Sequence, residues 1–437
     1  MILFAISLIL LILFMGVGCP AGFAFGGVVL VMIFARGYDP QFLMSFSFSK
    51  ISAIALMALP LFILAGNFML ETKISDHLLD WVSSIVSRVR GGLGAVVVIT
   101  MGIFGAISGI ASSAIAAIGP IVIPRLKAEG YPEGYAVSLT TMASALALLI
   151  PPSGTMIIYG WLMGQSITAC FLATVGPGIV LAIFLIIINY IWVGRMPKVK
   201  KREWPGIKEF RKEVTKTTWV GIPAILMPCV ILGTIYGGVA TPTEAAALAA
   251  LYCIPVGFIY RSLSLRKIFS ASANGAVITG SIMIMFFFAT MLCRMFTMEN
   301  IPQQFVAFVS SISENKYVIL LMINIFLIFI GMIMDDASAI LITAPMLLPL
   351  MTKIGCSPIH LAAIMGINLA MGCMTPPVAP LLYLGMRVGE TTFVKMIGPS
   401  MVFILFAFMP TVLITTYWEP LSLWLPKVIL GAKVLGM

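Results

Sequence analysis

Small and polar residues interrupt otherwise apolar stretches of the chain at four places. Two of these breaks are clusters of Gly with Ser or of Asp with Ser, at 105–113 and 334–338, and two are centred on proline pairs, at 150–155 and 372–378. Carbonyl groups one turn before a proline lose their helical partners and can coordinate a hard cation, whereas amides at the start of a half-helix attract an anion. The residue types therefore predict ion and anion binding at these breaks.

Two adjacent carboxylates, Asp335 and Asp336, follow a stretch of eighteen residues without a charge. A carboxylate in such an apolar setting is costly and is usually functional. Either aspartate could instead cap the helix that follows, and the two roles are compatible if one caps while the other binds a cation. An aspartyl intramembrane protease is not favoured, because it needs its two carboxylates on separate, facing helices.

The elements that position these residues must cross a membrane. Hydrophobic residues make up 61% of the 437 residues and charged residues 10%, against about 25% charged in a soluble protein. Apolar runs long enough to cross about 30 Å of hydrocarbon recur along the whole chain. We therefore predict an all-α polytopic membrane protein.

Neither an enzyme nor a metal centre is favoured by the remaining chemistry. The seven cysteines are scattered without a Cys-x-x-Cys pair, and there are two histidines and no cluster of carboxylates. Scattered cysteines in such a chain are expected to be small buried hydrophobic side chains. We predict no catalytic residue and no bound cofactor.

Fourteen apolar stretches are candidate spans, and residues 418–437 are left unassigned. The candidates are 1–17, 20–35, 53–70, 94–107, 112–127, 135–164, 170–193, 218–236, 244–260, 274–293, 317–334, 336–351, 359–388 and 394–417. The pairs 94–107 with 112–127 and 317–334 with 336–351 are interpreted as re-entrant hairpins. The stretches 135–164 and 359–388, each split at a proline pair, are interpreted as discontinuous helices.

The chain contains an internal repeat with an offset of 225 residues. Seven Pro and Gly positions match without a gap: Pro120 with Pro345, Pro124 with Pro349, Gly130 with Gly355, Pro151 with Pro376, Pro152 with Pro377, Gly160 with Gly385 and Gly164 with Gly389. These residues mark where a backbone breaks, so their coincidence carries weight. Five crossings separate the two hairpins, and because five is odd we predict that the repeats are inverted.

Charge predicts the orientation of the chain. The segment 194–217 holds nine Lys and Arg, and the positive-inside rule makes it cytoplasmic. Following the predicted crossings in both directions leaves most other basic residues inside, and leaves outside only Arg36, Lys50, Arg294, Lys316 and Lys353. The net charge of +10 is therefore attributed to membrane topology and not to nucleic-acid binding.

These elements divide the chain into five units. They are N-terminal scaffold spans with a connecting helix at 1–90, a first transport repeat at 91–169, further scaffold spans at 170–293 with the basic loop 194–217, a second transport repeat at 294–393, and a C-terminal span with a tail at 394–437. Within them, spans 1–35, 170–193 and 218–260 are expected to form much of the scaffold. Inverted repeats with broken helices are typical of transporters.

Several motifs together resemble one family. They are Gly-x-Phe-Gly-Ala-x-Ser-Gly at 102–109, Gly-Pro-x-x-Ile-Pro at 119–124, Gly-Tyr at 130–131, Leu-Ile-Pro-Pro-Ser at 149–153, Ala-Thr-Pro-Thr-Glu-Ala-Ala-Ala at 240–247, Thr-Ala-Pro-x-Leu-Leu-Pro at 343–349, Asn368, and Thr-Pro-Pro-Val at 375–378. Over nearly the whole chain the sequence resembles the large membrane subunit of tripartite ATP-independent periplasmic (TRAP) transporters, of the DctM-like type. One departure is Ile110-Ala111, where many relatives carry a further serine.

The resemblance implies a fold, partners and an energy source. The fold would be similar to that of the ion-transporter superfamily, with a mobile transport domain that moves as an elevator in the bacterial inner membrane. The partners would be a small four-helix membrane subunit and a periplasmic substrate-binding protein. Uptake of a C4-dicarboxylate, sialic acid, another sugar acid or a keto acid would be driven by sodium and not by ATP.

On this basis the breaks become candidate sites. Two sodium ions are expected between each hairpin tip and its neighbouring proline pair, with ligands from Ser108, Gly109, Pro151, Ser153, Gly154, Asp335, Gly372, Thr375, Pro376 and Val378. The organic acid is expected between the two tips, near Ser108, Gly109, Ser112, Ser113, Asp336, Ala337 and Ser338. Arg294, Lys353 and Arg387 either contact the anionic substrate or extend to the membrane surface, and the sequence does not decide which.

Two other functions stay open from the sequence. A stand-alone carboxylate symporter or cation antiporter of similar fold would use the same site without the partners. A membrane enzyme would need a pair of acids, a nucleophile with its base, or a set of metal ligands, and no such group stands out.

Overall fold

The computed structural model describes residues 2–197, 199 and 206–431, and these residues contain helices and no strand. Four basic residues of the predicted loop (Lys198, Lys200, Lys201 and Arg202) and residues 432–437 of the tail lie outside this range. The helices are α1 (Ile2–Gly16), α2 (Ala21–Arg36), α3 (Pro40–Ile51), α4 (Ala58–Glu71), α5 (Ile74–Val86), α6 (Gly92–Ser108), α7 (Ala111–Ala128), α8 (Glu133–Ala143), α9 (Leu146–Leu149), α10 (Gly154–Met163), α11 (Ile167–Gly194), α12 (Ile207–Tyr236), α13 (Pro242–Ile259), α14 (Leu265–Met298), α15 (Ile301–Ile312), α16 (Lys316–Ile333), α17 (Asp336–Lys353), α18 (Pro358–Gly372), α19 (Pro380–Val388), α20 (Phe393–Phe403), α21 (Met409–Tyr417) and α22 (Pro420–Leu430).

Eight helical segments of the described chain are long and apolar enough to cross a membrane. They are Ile54–Glu71, Glu133–Met163, Ile167–Gly194, Ile207–Tyr236, Pro242–Ile259, Leu265–Met298, Lys316–Ile333 and Phe393–Tyr417. The all-α polytopic class is thereby confirmed. Five of these segments lie between the two hairpins, which agrees with the odd count on which the inverted orientation of the repeats depends.

The repeat is visible in the bounds of the helices. A shift of 225 residues carries α7 onto 336–353, the range of α17. It carries α8 onto 358–368, within α18, and α9 onto 371–374, at the end of α18. The hairpins α6–α7 and α16–α17 are therefore equivalent, and so are the discontinuous helices α8–α10 and α18–α19. The peptide bonds Pro151–Pro152 and Pro376–Pro377 are both cis.

Each hairpin packs closely on the discontinuous helix of its own repeat. A Cβ added to Gly105 would lie 2.4 Å from Ala147 Cα, and one added to Gly372 would lie 2.6 Å from Gly331 Cα. Ala147 and Gly372 occupy equivalent positions in the repeat. The absence of a side chain thus lets backbone meet backbone at this crossing in both halves of the molecule.

The first discontinuous helix is shielded from lipid, whereas the long helices beside it are not. In Glu133–Met163, 94% of the most apolar window is buried, compared with 33% in Leu265–Met298. An irregular backbone is tolerated at membrane depth only when protein or a water-filled cavity surrounds it. The burial of this helix therefore makes its proline break possible.

The helices pack in two groups. In one, α4 contacts α13 and α14, α12 contacts α5, and α14 contacts α2. In the other, α18 contacts α16 and α11, and α8 contacts α20.

Since α11 lies in the second group, its packing differs from the assignment of 170–193 to the scaffold. One physical reason is Asn189, a buried polar residue on α11 whose amide donates to Gly91 O at 2.8 Å and accepts from the Tyr135 hydroxyl at 3.1 Å.

Four helices have no counterpart among the predicted spans: α3, α5, α15 and α22. Helices α5 and α15 each precede a hairpin and have one apolar and one polar face, so a search for uniformly apolar stretches passes over them. The basic loop was predicted to extend to residue 217, before a span at 218–236. In the structure the spanning helix α12 already begins at Ile207. The Thr241–Glu244 motif forms the capping box that its spacing predicts.

Candidate functional site

A cavity of about 460 Å³ lies where both hairpin tips meet both discontinuous helices. We call it the central cavity. The transport repeats contribute Gly109, Ile110, Ser112, Gly154, Thr155, Ile158, Asp335, Asp336, Ala337, Cys373, Pro380, Leu381 and Leu384. The predicted tips and breaks are thus brought to one place, although they are separated by up to 275 residues along the chain.

Four helices of the transport repeats begin at the central cavity. Residues that line it include Ser112 of α7, Thr155 of α10, Ala337 of α17 and Leu381 of α19, each in the first turn of its helix. The first amides of a helix have no partner within it, and this end carries a positive partial charge. A cavity surrounded by four such ends suits an anionic group.

The charged side chains lining the central cavity are Asp335 and Asp336. No Lys or Arg of the described chain lines it. A carboxylate entering from water would therefore meet two carboxylates as well as the four helix ends. A cation bound at the same place would offset this repulsion, so the arrangement favours binding of a cation together with an anion.

The two aspartates have different partners. Asp335 caps α17, since its carboxylate accepts from Ser338 N at 3.2 Å and from the Ser338 hydroxyl. Asp336 instead accepts a hydrogen bond from Thr155 Oγ1 at 2.8 Å. Asp335 therefore holds the tip of the second hairpin together, while Asp336 joins that tip to the discontinuous helix of the other repeat.

The tip of the first hairpin is fixed by Gly109. Its φ of +64° lies in the left-handed region, and an added Cβ would lie 2.7 Å from Pro152 O. Its carbonyl accepts from Gly154 N at 3.0 Å, which ties the tip to the start of α10. Next to it, the hydroxyl of Ser108 is buried and has no hydrogen-bond partner among the described residues. Such an oxygen fits the ligand set of a hard cation.

The two proline breaks differ in exposure. Pro151, Pro152 and Ser153 are buried, and the Ser153 hydroxyl donates to Leu148 O at 2.7 Å. At the second break, Pro377 and Val378 are exposed. Here Thr375 Oγ1 donates to Met371 O at 2.7 Å, and Leu381 N donates to Cys373 O at 3.3 Å across the break.

Among the predicted site residues, six line the central cavity: Gly109, Ser112, Gly154, Asp335, Asp336 and Ala337. The others lie in the tips and breaks behind this wall, namely Ser108, Ser113, Pro151, Ser153, Ser338, Gly372, Thr375, Pro376 and Val378. Arg294, Lys353 and Arg387 do not line it. Of these three, Lys353 donates to Ser310 Oγ at 2.7 Å.

Residues of the first packing group complete the wall and were not predicted. They come from the start of α2, from Leu59 of α4 and from Ser281, Ile282, Ile284 and Met285 of α14. The sequence signal at α2 was the break at Cys19-Pro20. Nothing in the pattern of α14 singles out its lining residues. Thr155, which binds Asp336, was also missed, although its place in the first turn after a proline break could have indicated it.

Comparison with known proteins identifies the family. The family model of the tripartite ATP-independent periplasmic transporter, DctM component, matches residues 8–420. The chain belongs to this family. As a member of the DctM family it is a transporter component and not an enzyme, which confirms the resemblance noted in the sequence.

Curated relatives are similar over most of this DctM-family chain. It is 33% identical to the C4-dicarboxylate TRAP transporter large permease protein DctM of Pseudomonas aeruginosa, over 85% of this chain and 86% of that protein. It is 29% identical to the sialic acid TRAP transporter large permease protein SiaM of Vibrio cholerae, over 95% and 96%. It is 33% identical to the isethionate TRAP transporter permease protein DctMQ of Oleidesulfovibrio alaskensis, over 93% of this chain but only 64% of that longer protein.

A solved structure supports the fold. The crystal structure of the YdaH transporter of Alcanivorax borkumensis matches with a TM-score of 0.64 over 87% of this chain and 90% of that one. The two are 15% identical in sequence. At this identity the likeness concerns the arrangement of the helices.

Proposed function

We propose that the chain is the translocating subunit of a sodium-coupled secondary transporter, and that it imports a small organic acid delivered by a periplasmic binding protein. The observation that carries this proposal is the central cavity, where four helix N-termini converge on two aspartates and no basic residue of the described chain. Helix N-termini attract the acid, and the two aspartates require that a cation accompany it.

Sodium is the proposed coupling ion, bound between each hairpin tip and its neighbouring proline pair. At the first tip, the unpaired hydroxyl of Ser108 supports this placement because a buried oxygen without a donor is an available ligand. At the second tip, Cys373 of the break lines the central cavity together with Asp335 and Asp336, and its sulfur lies 3.7 Å from Met334 O. The remaining ligands are the carbonyls of the two breaks.

The proposed substrate is a small organic anion bound between the two tips. Its acidic group would lie near the first amides of α7 and α17, and the rest would face Ile158 and Met285. The relatives are named for C4-dicarboxylates, sialic acid and isethionate, which all carry an acidic group on a small polar body. This shared chemistry supports an organic acid without selecting one.

The proposed partners are a small four-helix membrane subunit and a periplasmic substrate-binding protein, and the proposed location is the bacterial inner membrane with loop 194–217 in the cytoplasm. The transport repeats would move as an elevator against a scaffold that contains α2, α4, α12, α13 and α14. Residues of both packing groups line the central cavity, which supports its closure and opening by such a movement.

The test is uptake of radiolabelled organic acids into proteoliposomes that hold the chain and its small subunit. The inward sodium gradient and the binding protein are each supplied or omitted. Uptake that needs both supports the proposal. Sodium-driven uptake without the binding protein would replace it with a stand-alone symporter, and uptake that ignores the sodium gradient would remove the coupling ion.

A further inference from the structure

A second cavity, of about 180 Å³, lies away from the central one and is lined by two basic residues. We call it the outer cavity. Lys50 is contributed by α3 and Arg294 by α14, while Phe46, Trp161 and Pro345 form part of the remaining wall. None of these residues lines the central cavity. The outer cavity is therefore a separate place with a positive charge of its own.

The two basic side chains lie over the same aromatic ring. Arg294 Cζ lies 5.1 Å from the centre of the Phe46 ring, and Lys50 Nζ lies 5.8 Å from the same point. A second ring, that of Phe42, lies 5.5 Å from Arg294 Cζ. Contact with the ring faces stabilises the cations and holds the guanidinium in place.

The charges of Lys50 and Arg294 are not balanced within the described chain. Neither side chain forms a salt bridge with any described residue. In addition, the Arg294 Nε atom is buried and has no hydrogen-bond partner. A buried donor on a charged group is costly to leave unpaired, and two like charges on the wall of one cavity repel each other. Both costs disappear if an anion is bound between them.

The outer cavity and the central cavity are connected by three helices. Met285 and Arg294 are nine residues apart on α14, and Asp336 and Pro345 are nine residues apart on α17, which corresponds to about 14 Å along each helix. Helix α10 runs between them as well, from Thr155 to Trp161. The outer cavity lies toward the side that the distribution of charge predicts to be outside.

We propose that the outer cavity binds an oxyanion, namely the carboxylate or phosphate of a small organic acid or of a lipid headgroup. The fork of N–H groups of Arg294 and the ammonium of Lys50 would hold the anionic oxygens. Trp161 would contact the hydrocarbon part of the ligand. The inference does not rest on sodium coupling.

The test uses the purified full chain in nanodiscs of phosphatidylcholine, in potassium buffer without sodium. Succinate and inorganic phosphate are titrated, and the shift of the thermal unfolding temperature is followed. The variants are Arg294→Gln and Lys50→Gln, and the matched control is Lys353→Gln, which removes a basic residue bound to Ser310 outside the cavity. We expect half-maximal anion concentrations about tenfold higher in both variants and unchanged in the control.

A second arm distinguishes the two sources of the anion. If a lipid headgroup is the ligand, discs that contain phosphatidylglycerol should raise the unfolding temperature of the wild type above that of both variants. These discs should also abolish the shift that succinate causes. If a free acid is the ligand, the succinate shift persists in these discs. The proposal is overturned if succinate, phosphate and phosphatidylglycerol all change the unfolding temperature of the wild type and of Lys50→Gln equally. This comparison uses Lys50→Gln because Lys50 is exposed, so the variant folds even where Arg294→Gln does not.

Discussion

Two hydroxyl groups on α6 are buried without a partner, and only one of them lies at a hairpin tip. They belong to Ser108, at the end of the helix, and to Thr100, two turns earlier. An unpaired buried hydroxyl costs about 1–3 kcal/mol unless something binds it. Substituting each hydroxyl in turn therefore tests whether the oxygen binds the coupling ion or is only an unpaired buried group.

We predict that Ser108→Ala raises the sodium concentration for half-maximal uptake about tenfold, which corresponds to about 1.4 kcal/mol. In sodium-free buffer the same change should increase the free energy of unfolding by about 1 kcal/mol, because the unpaired hydroxyl is gone. Thr100→Val is the control and should be stabilised without any change in sodium dependence. Identical sodium curves for the two variants would exclude Ser108 as a ligand.

The hydrogen bond from Thr155 to Asp336 leads to a second prediction. Hydrogen bonds to charged groups contribute about 1.5–3 kcal/mol, so Thr155→Val should weaken substrate or sodium binding by at least about tenfold. Thr155→Ser keeps the hydroxyl and should stay near the wild type. The measurement is initial uptake over a matrix of sodium and substrate concentrations. A serine variant as impaired as the valine variant would show that the methyl group matters and not the hydrogen bond.

At the scale of helices, the close crossing of each hairpin with its discontinuous helix depends on glycine. Gly105→Ala and Gly372→Ala should each lower the free energy of unfolding by about 1–3 kcal/mol, because the added methyl group would lie within 3 Å of backbone atoms. Gly398→Ala is the control, since nothing lies within 4 Å of its added Cβ and a helical Gly→Ala change stabilises. Thermal unfolding in detergent measures all three. If Gly372→Ala behaves like Gly398→Ala, the crossing is not tight.

Helices with a uniform apolar character could be predicted from sequence, and those with mixed faces could not. Both hairpins and both proline breaks were placed correctly, because small residues and prolines interrupt apolar runs at matching positions. Helix α15 was missed because half of its surface is polar, and α5 was predicted only as a connecting helix without bounds. The central cavity was predicted in part. Asp336 stands out as one of a pair of charges after a long uncharged stretch, whereas Met285 is one apolar residue among many on α14 and gains its position only from packing.

At the scale of the whole molecule, α14 contacts the second hairpin at its tip. The Ser338 hydroxyl lies 2.9 Å from Met285 Sδ, which joins the two packing groups. If the transport repeats move against the scaffold, this contact must break in every cycle. A covalent link at this point would then stop transport by holding the two groups together.

We predict that cross-linking Met285→Cys to Ser338→Cys with a short bis-thiol reagent abolishes uptake, and that cleaving the link restores it. The other cysteines are removed from this background. The control joins two scaffold helices, through Met227→Cys on α12 and the native Cys253 on α13, whose sulfur atoms lie 3.9 Å apart in the wild-type pair. Uptake should survive in the control. Full activity of the linked 285–338 protein would contradict relative movement of the two groups.

The unequal exposure of the two proline breaks has a consequence for the order of events in a transport cycle. The first break is buried, whereas Val378 at the second is 45% exposed. If sodium binds at both breaks as proposed, the ion at the exposed break would exchange more readily, while the ion at the buried break would wait for neighbouring side chains to separate. Release would then be sequential, with one fast and one slow step, and sodium on the receiving side would slow turnover first by rebinding at the second break.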